Sequence, residues 1–287
     1  MRYFFFFLAL FCTALTSDKP AYRLFNRNQK PVSYQAMLTV LEKADVVLFG
    51  ELHNNPISHW MELQVTKDLF ISKKGAVTFG AEMFEADNQT VLDEYLKGMI
   101  TSNQLEAEAK VWNNFATDYK PLLDFARAKK LPFIATSIPR RYASMVAKND
   151  WAALEALSLE AKRWIAPLPI AIDTTLPGYA GMTEAMGGNA HGNQAGNMVK
   201  AQAIKDAMMA HFILANRKEG KLFLHFNGTY HSDHFEGIVW YLRKQAPALK
   251  IVTISSVEQD SIEKPEASNS KRADFILLIP ADMTKTY

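Results

Sequence analysis

Four side chains that can bind a metal or transfer a proton follow apolar runs of strand length: Glu51, His53, Glu82 and His231. Together they offer oxygen and nitrogen ligands suited to Mn, Fe, Co or Zn. In a hydrolase, Glu51 or Glu82 could instead act as the general base on a metal-bound water. A glutamate after a strand can also cap the following helix. The pattern therefore predicts a ligand site less specifically than a motif such as His-Glu-x-x-His.

The elements that must position these side chains alternate along the chain. The apolar runs cover residues 44–50, 75–81, 131–136, 221–226, 250–254 and 275–279. Helical spacing covers residues 57–73, 119–130, a segment from about 140, 195–217 and 235–244. Such alternation predicts an α/β fold, a mostly parallel sheet with helices on both faces. Because open parallel sheets bind ligands beyond the carboxyl ends of their strands, we expect the four side chains to converge there.

Two segments depart from the simple alternation. Residues 87–118 predict consecutive helices and hence a small helical insertion. Residues 164–194 are rich in Pro, Gly, Asn and Met and predict a long loop, which in a compact domain is typical of a lid or binding segment. The chain has 287 residues, 48% of them apolar, enough for a substantial core. We therefore expect a single domain over residues 18–287.

The N-terminus has the pattern of a secretory signal peptide. Arg2 precedes the apolar segment 3–11, which is too short to span a bilayer, and cleavage is expected to remove residues 1–17. Cys12 is the single cysteine, so cleavage would leave no thiol for a disulfide, a zinc site or a nucleophile. We expect an exported protein, periplasmic or outer-membrane associated, with membrane contact only if Cys12 is lipidated.

Positive charge is scattered along the chain except at one pair. The formal net charge is +2, and no basic run favours nucleic acid as a partner. Arg140 and Arg141 follow the apolar run 131–136 and could neutralise a carboxylate or phosphate through bidentate hydrogen bonds. A surface ion pair is the alternative. His59 lies within the helical segment after His53 and is interpreted as a packing or surface residue.

Several blocks of the sequence occur in an order that is more specific than any one of them. They comprise residues 47–56 with His59, 80–85, 138–143, 201–210 and 227–231. In these blocks the chain resembles the ChaN-like haem-binding uptake proteins, which are relatives of the Tiki proteases and the erythromycin-esterase group. The resemblance runs from residue 46 to about 242. It implies a ChaN-like α/β domain with a small helical lobe.

The resemblance also implies that haem is bound through a tyrosine. Tyr142 is the first candidate for the iron ligand, followed by Tyr179 and Tyr230. A phenolate is a hard donor that suits ferric iron. Forming it at neutral pH from a phenol with a pKa near 10 requires about 4 kcal/mol of help from the iron and nearby cations. Arg140 and Arg141 could give part of that help or bind the haem propionates.

Two functions from different classes follow. The first is an exported haem-binding protein of an iron or haem acquisition system, with an outer-membrane haem receptor as a partner and a homodimer that could hold two haems. The second is a metal-dependent hydrolase or peptidase with Glu51, His53, Glu82 and His231 around a divalent transition metal. The binding protein is the favoured prediction, and both residue sets could share one crevice.

Overall fold

The computed structural model of the protein describes residues 18–185 and 192–287. Its strands are β1 (Arg23–Asn26), β2 (Val46–Glu51), β3 (Val77–Glu85), β4 (Phe133–Ser137), β5 (Leu222–Gly228), β6 (Ile251–Gln259) and β7 (Phe275–Pro280). They form one sheet in the order β1-β7-β6-β2-β5-β3-β4. β1 runs antiparallel to β7, and all other neighbours are parallel. The predicted α/β fold with a mostly parallel sheet is confirmed.

The helices fill the connections between strands. They are α1 (Tyr34–Leu41), α2 (Pro56–Ser72), α3 (Gln89–Leu96), α4 (Ser102–Glu108), α5 (Lys120–Lys129), α6 (Arg140–Asn149), α7 (Pro177–Ala185), α8 (Gly192–Asn216) and α9 (Ile238–Gln245). The predicted helical insertion at 87–118 contains α3 and α4, and a π-helical turn at Phe115–Tyr119 leads into α5. The predicted long loop at 164–194 contains α7, an element that the sequence did not suggest.

Each face of the sheet carries its own apolar core. Side chains alternate along β2, so Val47 and Phe49 pack in the cluster that includes α1, α2 and α5. Val46 and Leu48 point to the other face, where they pack with α6, α8 and α9. Helices therefore cover both faces, as the alternation predicted. Because helices cover both faces, polar side chains are left for the carboxyl edge of the sheet, which we call the rim.

The turn after β2 brings three chain segments together at the carboxyl edge of the sheet. A Cβ atom at Gly50 would lie 3.0 Å from the carbonyl oxygen of Ile254 and 3.1 Å from Cα of Thr229. This position therefore favours glycine. Five residues after Gly50, the Asn55 side chain accepts hydrogen bonds from the first turn of α2 and fixes its start. The short turn between these two points holds the residues after β2 at the rim.

Some features of the sequence lie outside the described residues. The predicted signal peptide at 1–17, including Cys12, is one, and residues 186–191 within the predicted loop are another. Among residues 18–185 and 192–287, no helix combines the length and the apolar character needed to cross a bilayer.

Candidate functional site

The carboxyl edge brings the four predicted ligands into two adjoining pairs. Glu51 Oε1 lies 2.7 Å from Nδ1 of His53, and Glu82 Oε1 lies 3.1 Å from Nε2 of His231. Because β5 lies between β2 and β3, the end of β5 at Gly228 separates the pairs. A Cβ atom there would lie 2.9 Å from Nε2 of His53 and 3.6 Å from Oε2 of Glu82. The four side chains therefore line one continuous stretch of the rim.

The second pair belongs to a longer buried network. The Gly228 N–H donates to Glu82 Oε2 at 2.8 Å. The Nδ1 atom of His231 lies 2.5 Å from Oδ1 of Asp206 on α8, and the Tyr179 hydroxyl donates to Oδ2 of the same carboxylate at 2.6 Å. Both ring nitrogens of His231 thus face carboxylate oxygens. Helices α7 and α8 are tied to the sheet edge by these contacts.

The charges of this network favour an imidazolium between two carboxylates. Burial alone would lower the pKa of His231, but the charges of Glu82 and Asp206 outweigh it and raise that pKa to about 10. Burial would raise the pKa of Glu82, yet His231 and the Gly228 N–H hold it well below its usual range. At neutral pH, His231 is therefore charged and Glu82 is ionised. Such a network can fix the position of charge at the rim and move a proton along it.

A second buried cluster lies behind Glu51. Nδ1 of His59 lies 2.9 Å from Oε2 of Glu62 and 3.7 Å from Oε2 of Glu51. The Tyr119 hydroxyl donates to Oε1 of Glu51 at 2.7 Å, and Nε2 of His59 lies 3.5 Å from Oδ2 of Asp118. One ligand atom each from Glu51, His59 and Glu62 lies within 4.8 Å of the other two. These three residues could hold a metal ion.

The burial of the two glutamates in this cluster disfavours their ionised forms. Burial raises the pKa of Glu51 to about 8, and the nearby charge of Glu62 adds to the increase. Burial likewise raises the pKa of Glu62 to about 8, with the charge of Asp118 as a further cause. Among residues 18–185 and 192–287, Oε2 of Glu51 and Oε1 of Glu62 are buried and have no hydrogen-bond partner. The cluster therefore favours an added proton or cation.

Tyr142 lies on α6 beneath an arginine side chain. The Arg141 guanidinium lies 4.4 Å from the centre of the Tyr142 ring and donates a 3.2 Å hydrogen bond to its hydroxyl. The same guanidinium contacts Asp87 at 2.5 Å, and Tyr142 is 7% exposed. Arg140 is largely exposed, with Nε 3.9 Å from Glu85. Arg141 therefore contacts Tyr142 as predicted, whereas the contact of Arg140 is with Glu85.

The other two candidate tyrosines lie on the far side of the rim, near His231. Tyr179 is buried against Asp206, and both burial and that charge raise the pKa of its hydroxyl. Tyr230 is 39% exposed and donates to the carbonyl oxygen of Gly178 at 2.7 Å. Burial and the charge of Asp206 raise its pKa to about 12. Both environments oppose a phenolate, whereas Tyr142 has a cation beside its oxygen.

Three residues of the site were not predicted as functional from the sequence. His59 and Glu62 are spaced i, i+3 on α2, and this spacing on a helix that follows a glutamate-bearing strand end is a usable signal for a cluster. Asp206 lies on the buried face of α8 beside Ala207 and Met208. An acid on an apolar helix face indicates a buried partner, because an unpaired charge there is costly.

Comparison with known proteins gives one family and several structural relatives. The family described as haem-binding uptake, Tiki superfamily, ChaN matches residues 37–242. The structure of cofacial heme binding to ChaN of Campylobacter jejuni is 19% identical with a TM-score of 0.66, and the match covers 91% of this chain and 97% of that one. A succinoglycan biosynthesis protein is 10% identical with a TM-score of 0.53, covering 86% and 90%.

An erythromycin esterase mutant in its open conformation is 11% identical with a TM-score of 0.48, and the match covers 90% of this chain and 97% of that one. Curated proteins give no match. The Campylobacter protein and the succinoglycan biosynthesis protein are similar to this chain in fold, whereas the family match rests on the sequence itself over more than half of the chain. The chain belongs to the ChaN family of haem-binding uptake proteins in the Tiki superfamily.

Proposed function

We propose that the protein binds ferric haem at the carboxyl edge of the sheet, with the Tyr142 phenolate as the iron ligand. The observation that carries the proposal is the 3.2 Å hydrogen bond from Arg141 to the Tyr142 hydroxyl in a chain of a haem-binding family. This contact places a cationic hydrogen-bond donor beside the oxygen that would bind the iron. Phenolate in turn is a donor that haem proteins use for ferric iron.

Access to the Tyr142 oxygen requires the Arg141 side chain to move. The ring is 7% exposed, while the Arg141 side chain that covers it is 43% exposed and is held by its contact with Asp87. When iron binds the oxygen, the displaced guanidinium would be free to pair with a haem propionate. Arg140 is exposed beside it and offers a second such partner.

The shape of the rim favours haem on the surface over haem in an enclosed pocket. The cavity beside Arg140, which Trp112 and Asn114 also line, has a volume of about 250 Å³. Enclosed small-molecule pockets have volumes of about 300–1,000 Å³. A porphyrin would therefore lie against the rim with one face uncovered. A second haem on a second copy of the chain could cover that face, which agrees with the cofacial heme of the Campylobacter protein.

The test is a visible-absorption titration of the purified protein with ferric haem. We expect a saturable change of the Soret band and a tyrosinate charge-transfer band for the wild type. Tyr142→Phe should remove the charge-transfer band, and Tyr230→Phe, at the exposed phenol of the same rim, should keep it. Light scattering with and without haem tests the homodimer. Loss of the band only in Tyr230→Phe would assign the ligand to Tyr230, and no saturable binding would refute the function.

Export belongs to the same proposal. A haem-uptake protein meets its ligand outside the cytoplasm, and the N-terminal pattern at 1–17 predicts cleavage there. We propose that the processed protein is periplasmic or outer-membrane associated and exchanges haem with an outer-membrane receptor. N-terminal sequencing of the protein from cell fractions is the test, since a cytoplasmic protein that retains Met1 would contradict it. A lipid on Cys12 would be seen in the intact mass.

A metal-dependent hydrolase is the second candidate, and one geometric observation favours it. The pairs Glu51–His53 and Glu82–His231 adjoin across Gly228, which brings two carboxylates and two imidazoles to one stretch of the rim. Ester or peptide hydrolysis that disappears on chelation and in His231→Ala, but persists in Tyr142→Phe, would support this function. Haem binding in His231→Ala would be unchanged in that case.

A further inference from the structure

The cluster behind Glu51 contains oxygen atoms whose hydrogen-bonding capacity is unused. Oε1 of Glu51 accepts from Tyr119 and contacts His53, each at 2.7 Å, whereas Oε2 has no hydrogen-bond partner. Oε2 of Glu62 contacts His59, and its Oε1 has no partner. Both side chains are fully buried. Buried carboxylate oxygens without partners are costly unless a proton or cation joins them.

The hydrogen bonds of His59 leave one ring nitrogen aimed at these carboxylates. Its Nε2 lies 3.1 Å from the carbonyl oxygen of His53, which can only accept, so Nε2 carries the hydrogen. In the neutral ring, Nδ1 then has a lone pair that faces Oε2 of Glu62 at 2.9 Å and Oε2 of Glu51 at 3.7 Å. Three acceptors that converge without a donor among residues 18–185 and 192–287 are an arrangement that a cation could occupy. Metal-binding histidines commonly donate their other N–H to a carbonyl in this way.

Positive protein charge does not compensate the two glutamates. Within residues 18–185 and 192–287, neither Glu51 nor Glu62 forms an ion pair with a lysine or arginine, and histidines supply their ion-pair contacts. Asp118 adds a third carboxylate 3.5 Å from Nε2 of His59. A divalent cation would balance the charge of the two glutamates while using the oxygen atoms that lack partners.

We propose that Glu51, His59 and Glu62 bind one divalent transition-metal ion. Two ligands of a tetrahedral metal at about 2.1 Å are about 3.4 Å apart, close to the observed contacts. Two carboxylates and one imidazole suit Mn²⁺, Fe²⁺ or Zn²⁺, and no thiolate is involved. This site lies behind the rim and shares only Glu51 with the four-residue set, whereas His59 and Glu62 belong to neither that set nor the proposed haem surface at Tyr142.

A cavity on the flank of α2 leads to the cluster. It has a volume of about 510 Å³, and its lining includes His59, Asp118 and the C-terminal residues 284–286. The Thr286 N–H donates to the carbonyl oxygen of Asn54 at 2.9 Å, which fixes the end of the chain beside the turn after β2. An ion could therefore reach His59 through this cavity.

Elemental analysis and calorimetry of the haem-free protein test the site. Full-length protein is purified without chelator, analysed for transition metals, then stripped with EDTA and titrated separately with Mn²⁺, Fe²⁺ and Zn²⁺. We expect one metal per chain. Glu62→Gln should weaken binding by more than about 100-fold, because loss of an outer partner alone costs about 10- to 100-fold. Glu82→Gln is the matched control at the rim and should bind metal as the wild type does.

Each outcome decides between sites. No saturable binding of any of the three metals by the wild type, or unchanged affinity in Glu62→Gln, overturns the proposal. Loss of metal in Glu82→Gln would instead place the ion in the four-residue set. If Glu62→Gln does not fold, the melting temperature of the stripped wild type decides, since it should rise with metal and stay constant if no site exists. Haem titrations are run apart, so failure here leaves the haem proposal untouched.

Discussion

Replacing Asp206 with Asn tests whether the buried network stabilises the fold through charge. The carboxylate contacts His231 Nδ1 at 2.5 Å and accepts from the Tyr179 hydroxyl at 2.6 Å, and it is fully buried. Asparagine has nearly the same shape but offers one acceptor oxygen where the carboxylate offers two. The substitution therefore removes charge and one acceptor while leaving the packing unchanged.

The expected loss follows from these contacts. Breaking a buried ion pair costs about 3–5 kcal/mol. The amide can keep one hydrogen bond, and Glu82 at 3.1 Å still compensates His231, so part of that cost is recovered. A hydrogen bond to a charged group contributes about 1.5–3 kcal/mol. We expect Asp206→Asn to lower the free energy of unfolding by about 2–4 kcal/mol.

The assay is urea unfolding at pH 7. The matched control is a partly exposed ion pair that also involves α8. Asp150 contacts Lys200 of α8 at 2.5 Å, and both side chains are partly exposed. Asparagine has nearly the same shape as aspartate and the pair is partly exposed, so Asp150→Asn should cost less than about 1 kcal/mol. An imidazole NMR titration should show a lower pKa for His231 in Asp206→Asn. Equal unfolding free energies for the two variants would refute the reasoning.

Three further predictions concern the site and its support. Gly237→Ala should lower the free energy of unfolding by about 2 kcal/mol or more, because φ at Gly237 is +50° and a Cβ atom there would overlap the carbonyl oxygen of His231. Gly181 has open space around it, so the control Gly181→Ala should not lower the melting temperature. The pKa of His231 is raised to about 10 in the folded protein, so the stabilisation of the fold by the charged ring is complete below about pH 6.5 and disappears as the pH rises through 10. Over that range, the free energy of unfolding should fall more for the wild type than for His231→Gln. Tyr119→Phe removes a donor to Glu51 and should weaken metal binding about 10- to 100-fold by calorimetry, and unchanged affinity would argue against Glu51 as a ligand.

The sheet could be predicted from the sequence because its inner strands are covered on both faces. A strand buried on both sides needs a continuous apolar run, and the runs at 44–50 and 221–226 correspond to β2 and β5. β1 has only four residues and pairs on one side, so it leaves no such pattern. α7 was missed because Pro177 and Gly178 open it, and such residues also indicate loops.

The sequence predicted where the site lies, but it did not predict which of its residues contact one another. Polar residues at the ends of parallel strands indicate a shared edge, and Glu51 and Glu82 lie there. Which residues touch depends on the order of the strands, and the sequence does not reveal that β5 lies between β2 and β3. His59 is buried because α2 packs with that side toward the sheet. The helical spacing in the sequence did not reveal whether His59 faces the core or the surface.

The position of β5 also sets when the rim can form during folding. β2 and β3 are consecutive strands in sequence, yet each pairs with β5 and not with the other, so residues 222–228 must insert between them before this part of the sheet exists. The nucleating contacts of the central sheet are therefore long-range, which slows folding. A chain interrupted before β5 has neither the Gly228 N–H that holds Glu82 nor His231 beside it. An intact rim thus reports that the chain has folded at least through β5 and His231.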